Sequence, residues 1–194
     1  MRALVKYSAV ALIAVFWIQT CVDAGSALDQ PSPIQSLTVG SDQSGGVRAT
    51  AGLLFPVPPR IIQSLLTDYR KWPELFEARM RLASIEERQG RVVTDLYIEH
   101  PLMPGGRRLI CESESLPDGG LVTELKSGDF KQYHRVWKLT PVDGGLHTRA
   151  EFDLIVEVET IVPDWVMAVA MRRELEAHFR IVTERAMERA RKER

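Results

Sequence analysis

Between Ala78 and Val158 the chain runs in short alternating stretches, and at Pro163 it switches to a helical period that lasts almost to Arg194. The apolar positions of that last segment, Ala168, Met171, Leu175, Phe179, Val182 and Ala186, step by three or four and form one stripe. Turn signals punctuate the middle: Gln89-Gly90, Pro104-Gly105-Gly106, Pro117-Asp118-Gly119-Gly120, Gly128-Asp129 and Asp143-Gly144-Gly145. Connections this short cannot make parallel crossovers, so the strands they join are antiparallel. A long helix after such a sheet has to lay its stripe on the concave face. The expected class is α+β: a curved antiparallel sheet wrapped around a long C-terminal helix, with two short helices after the first strand.

The N-terminus reads differently. Arg2 and Lys6 precede an uncharged run from Tyr7 to Ile18. That length suits the core of a signal peptide and falls short of the ~20 residues that span a bilayer. Ala24, with Val22 two residues before it, suits a cleavage site. The pattern predicts a signal peptide over 1–24, a flexible leader over 25–46 and a folded domain over 47–194. Lipidation at Cys21 is the weaker alternative, because Gln19 and Thr20 fit a lipoprotein signal poorly, and an uncleaved anchor is weaker still. Every version places the domain outside the cytoplasm, periplasmic or envelope-associated. Cleavage removes two cations and one anion, which takes the formal net charge from −1 to −2. That is too small a charge for a nucleic-acid partner. Cys111 is then the one remaining cysteine, so the domain stands on its core without an internal disulfide.

Strands are expected at 47–55, 79–88, 91–99, 107–115, 121–127, 132–140 and 147–158. Pro58-Pro59 opens a short helix through Ile61, Ile62, Leu65 and Leu66, and Pro73 to Phe76 suggests a second short helix or turn. The run Leu65-Leu66-Thr67-Asp68-Tyr69-Arg70-Lys71-Trp72-Pro73-Glu74-Leu75-Phe76 resembles the helix pair of the START-like (SRPBCC) helix-grip superfamily, which includes polyketide cyclases and coenzyme-Q-binding proteins. Val136 to Pro141, a Gly-Gly turn and Thr148 to Phe152 resemble the last two strands of that superfamily, and Pro163-Asp164-Trp165 the start of its terminal helix. The likeness covers about 47–190. It implies a fold, and a cavity between sheet and helix, rather than a reaction.

Alternation selects the side chains that could line such a cavity. On 147–158 the inward face carries Phe152 and Leu154; on 91–100 it carries Leu96, Ile98 and His100; on 133–139 it carries Tyr133, Arg135, Trp137 and Leu139. The helix contributes Met171, Leu175 and Phe179. The expected ligand-binding set is Arg135, Tyr133, Trp137, Phe152, Leu154, Leu96, Ile98, Met171, Leu175 and Phe179. For Trp137 and Phe152 a core role is the default and pocket lining the special case. Arg135 either holds a carbonyl, carboxylate or phosphate of a ligand, or lies near a strand end and reaches solvent or a salt bridge. His100 reads as a turn cap or as a base at a pocket mouth. The loop from His100 to Gly106 carries Leu102 and Met103, which could flank a portal, touch a membrane or fold over the end of the core.

The histidines and cysteines lack metal-ligand spacing, and no serine sits in a nucleophile motif, so no catalytic residue, metal or cofactor is expected. These features favour an exported domain that binds, and transfers, an apolar ligand such as a lipid, isoprenoid or quinone, with transient membrane contact. A cyclase or aromatase acting on a polyketide-like chain is the alternative, with Arg135, Tyr97, Tyr133, His100 and Ser113 as its raw material. An envelope interaction module with a filled cavity is the third reading. Oligomeric state is not written in the sequence.

Overall fold

The computed structural model describes residues 32–193. They form one eight-stranded antiparallel sheet and a long terminal helix. In chain order the elements are β1 (Ile34–Ser41), β2 (Val47–Phe55), α1 (Pro59–Leu66), a 3-10 segment (Tyr69–Leu75), β3 (Arg79–Arg88), β4 (Arg91–His100), β5 (Met103–Ser115), β6 (Gly120–Gly128), β7 (Phe130–Val142), β8 (His147–Val158) and α2 (Asp164–Lys192). Across the sheet the order is β1-β2-β8-β7-β6-β5-β4-β3. Six strands therefore run as a meander from β3 to β8, and the first hairpin adds to the edge that β8 leaves open. This is the α+β helix-grip arrangement.

Local chemistry explains the elements that frame the interior. Pro59 starts α1 at no cost in hydrogen bonds, and Ile61, Ile62, Leu65 and Leu66 bury its inner face. Gln63 on the same helix pins the start of β6: its amide oxygen accepts the Gly120 N–H at 2.7 Å and its amide nitrogen donates to the Gly120 carbonyl at 3.0 Å. The second short helix expected after α1 is a 3-10 segment with Pro73 inside it. On α2, Ala168, Leu175, Phe179, Val182 and Ala186 are buried, and His178 and Thr183 are buried with them.

The structure corrects two expectations. Residues 34–41 lie inside the stretch assigned by composition to a flexible leader, yet they form β1, paired with β2 from Ile34–Leu53 to Ser41–Val47. A bulge between Ile34 and Ser36 puts Ile34 on the same side as Leu37 and Val39, and all three pack on the core. An extra residue breaks the period of two that marks a strand in the sequence. The stretch expected as a loop from His100 to Gly106 is also mostly strand, because His100 already faces Met103 across the β4–β5 turn. Met103 is buried, as the reading that folds it over the end of the core expects.

Candidate functional site

The concave face is divided along its length into a solid half and a hollow half. In the solid half Phe55, Trp137, Phe152 and Phe179 form an aromatic plug, with the Trp137 ring edge-on to Phe152 at 4.9 Å and to Phe179 at 5.7 Å, and Phe152 edge-on to Phe179 at 5.2 Å. Trp137 faces Phe152 across the β7–β8 pairing, and one step along the same faces Arg135 meets Leu154. That step leads from the plug into the hollow half.

The hollow is a cavity of about 170 Å³. Leu96 and Ile98 of β4, Leu109 of β5, Tyr133 and Arg135 of β7, Leu154, Val156 and Val158 of β8, and Met167, Ala170, Met171 and Leu175 of α2 line it. Trp72 and Phe76 close it from the 3-10 segment, and His100, Met103 and Glu174 stand at its mouth, which opens onto a surface groove sharing those three residues. A site that holds one benzene-sized ring is of comparable volume. The structure thus brings Arg135, Tyr133, Leu154, Leu96, Ile98, Met171 and Leu175 of the expected set together. Trp137, Phe152 and Phe179 are core instead, because their three rings fill the space between sheet and helix.

Arg135 is the unusual wall residue. It is 5% exposed, although a guanidinium normally keeps its head in water. Among the described residues no carboxylate pairs with it. Its Nη2 donates to Thr123 Oγ1 at 3.4 Å, its guanidinium carbon lies 4.6 Å from the centre of the Trp72 ring, and its buried Nε has no hydrogen-bond partner. Thr123 is held in turn by Ser113 at 3.0 Å.

The other candidate groups fall into inert or structural settings. Burial pushes the Cys111 thiol up to about 12, with a partial counter-pull from the Arg135 charge, so the sulfur stays protonated. Desolvation also raises the Tyr133 and Tyr69 phenols, opposed in each case by Arg135. Tyr97 lies outside, with the Arg81 guanidinium 4.6 Å over its ring. His100 serves as a turn cap at the mouth: its Nδ1 accepts the Leu102 N–H at 3.2 Å, which leaves Nε2 facing Glu174 Oε1 at 3.7 Å. No cluster of three or more His, Cys, Asp or Glu side chains suited to a metal ion occurs among the described residues.

Two residues beside the cavity escaped the sequence reading. Trp72, whose Nε1 donates to Leu66 O at 2.9 Å, sits in the 3-10 segment, where no periodicity marks an inward side chain. His178 is completely enclosed: Nδ1 meets Leu75 O at 2.7 Å, the ring stacks on Phe76 at 4.2 Å, and among the described residues Nε2 has no partner. Its place between Leu175 and Val182 on the apolar stripe was the available signal.

No protein-family model matches the chain, and no curated protein matches it by sequence. Solved structures do. The chain is similar to a START superfamily protein from Mycobacterium smegmatis (TM-score 0.58, 18% identity, 73% of this chain and 97% of that one). A protein of Thermus thermophilus matches with TM-score 0.58 and 19% identity over 73% of this chain and 97% of that one. The Zhui aromatase/cyclase from Streptomyces sp. R1128 matches with TM-score 0.59 and 13% identity over 74% of this chain and 94% of that one. At these identities the likeness establishes a START-like helix-grip fold and no activity.

Proposed function

We propose that this chain is an exported binding protein that holds a small apolar molecule between its sheet and α2 and exchanges it with a membrane or carrier. The cavity carries the reading: its walls are almost entirely apolar and it opens at one end. Ligand burial there contributes about 25 cal/mol per Å² of apolar surface. At about 170 Å³ the cavity takes a ring or a short chain, so a longer lipid, isoprenoid or quinone extends through the mouth or parts α2 from the sheet. Export rests on the charged start, short apolar run and cleavage pattern of residues 1–24.

A membrane contact fits the same end of the molecule. Trp165 and Val169 of α2 are exposed four residues apart and Ile161 is exposed in the bend just before the helix, while Met167, Ala170 and Met171 of α2 line the cavity. A bilayer surface suits this outward face, since Trp sits well at the boundary between water and hydrocarbon.

A cyclase-type enzyme is the second reading, favoured by the His100–Glu174 pair at the cavity mouth. The open volume argues against a filled interaction module. Native mass spectrometry with lipid extraction, on protein purified from its own envelope, tests the proposal. An apolar molecule released from the parent protein and absent from Leu154→Trp, which fills the cavity, is the expected outcome. A parent that carries no such molecule and takes up no apolar probe refutes it, and turnover of a polyketide mimic would favour the enzyme.

A further inference from the structure

We infer that the ligand's buried end is a single anionic carboxylate, held by Arg135 at the deep end of the cavity; this rests on the binding reading above. A guanidinium in a water-poor setting needs an opposite charge or a full set of acceptors. Arg135 has one long hydrogen bond, to Thr123 at 3.4 Å, and the face of Trp72 at 4.6 Å. Among the described residues its buried Nε has no acceptor, and the side chain is one of those that line the hollow. A cation–π contact stabilises the charge but leaves that N–H donor unsatisfied.

The surroundings narrow the anion. Among the described residues no lysine lines the cavity, and the other basic side chain there is His100, which lies at the mouth beside Glu174. One cation balances one negative charge, which favours a carboxylate over a phosphate, whose two charges and three oxygens call for several donors. Glu174 at the mouth also sets direction. It repels an anion that stops there, so the carboxylate faces inward to Arg135 and the apolar body trails toward the opening. The chemical class is therefore a compact apolar monocarboxylate, with either an alkyl or an aromatic body.

Calorimetry on the mature protein at pH 7.5 tests this with octanoate and 1-naphthoate, each compared with its own neutral amide. The parent should bind at least one acid tenfold or more tightly than the matching amide, and which acid it is tells an alkyl from an aromatic body. Arg135→Gln should abolish the preference by weakening the acid more than the amide, and Arg135→Lys, which keeps the charge, should retain part of it. Equal affinity for acid and amide in the parent overturns the carboxylate site while leaving the apolar cavity standing. Failure of all four probes to bind the parent removes the cavity reading together with it. A preference that survives intact in Arg135→Gln overturns the assignment to Arg135.

Discussion

The guanidinium of Arg135 rides 4.6 Å over the ring of Trp72, and that ring is itself fixed by its N–H bond to the Leu66 carbonyl at 2.9 Å. A residue of β7 thus has its charge supported by the segment that follows α1. The two side chains should be coupled in stability. Trp72→Leu removes a large buried ring and the support of the cation, and costs about 3–5 kcal/mol. Arg135→Met exchanges an unpaired buried charge for an apolar chain and raises stability, on the order of 1–3 kcal/mol. In the double variant the loss from Trp72→Leu should be smaller than in the single one, because no buried cation is left stranded. Urea unfolding of the four proteins gives the cycle, and a destabilised Arg135→Met would mean that the guanidinium is structural.

His178 makes stability depend on acid. Burial depresses it to about 4 from the ordinary histidine value of 6.5; the Leu75 hydrogen bond opposes the fall and Arg135 adds to it. The unfolded chain therefore binds the proton first. The stability from this site is complete above about pH 6.5 and drains away as pH falls toward about 4. The full loss is roughly 3 kcal/mol, at about 1.4 kcal/mol per pH unit of separation. His178→Leu should flatten the difference in unfolding free energy between pH 7 and pH 4.5 relative to the parent. An unchanged slope would assign the acid sensitivity elsewhere.

Gly120 sits at φ +115°, and a side chain there would place its first carbon 2.0 Å from the Trp137 carbonyl oxygen. Gly120→Ala has no flexible neighbour to push aside, so it should destabilise by more than about 2 kcal/mol. Gln63→Ala, which releases both bonds to the same residue, should cost about 1–3 kcal/mol. Thermal unfolding ranks the two, and Gly120→Ala is expected to be the worse.

The exposed apolar patch at the start of α2 and in the bend before it is testable with vesicles. Trp165 is 68% exposed and Ile161 is fully exposed, so Trp165→Ser with Ile161→Ser should leave stability within about 0.5 kcal/mol of the parent. Co-sedimentation with phospholipid vesicles should drop severalfold. Equal sedimentation of variant and parent would remove the membrane contact.

The architecture was legible because β8 alternates without a break, Thr148, Ala150, Phe152 and Leu154 inward against Arg149, Glu151 and Asp153, and because α2 repeats its stripe to Ala186. β1 was hidden by its bulge and by polar neighbours. The candidate site was legible only up to its boundary. Arg135 and Trp137 stand on one face of β7 and look alike in alternation, yet one borders a hollow and the other is packed solid. What separates them is the opposing residue on α2, Phe179 at the plug and Met171 and Leu175 at the cavity, and a strand pattern carries no information about what faces it. Trp72 comes from a segment without any period, so its position under Arg135 could be known only from the fold.

The sheet order also governs when the molecule can be completed. β2 lies between β1 and β8, with Val47 opposite Val156. The β1–β2 hairpin, earliest of the described strands, thus has the β2 edge unfilled until β8, the last of them, has emerged. Pairing across so long a span closes a large loop before any reward arrives, which slows folding. During synthesis, the exposed edge of β2 is the part of this protein most in need of protection from other chains.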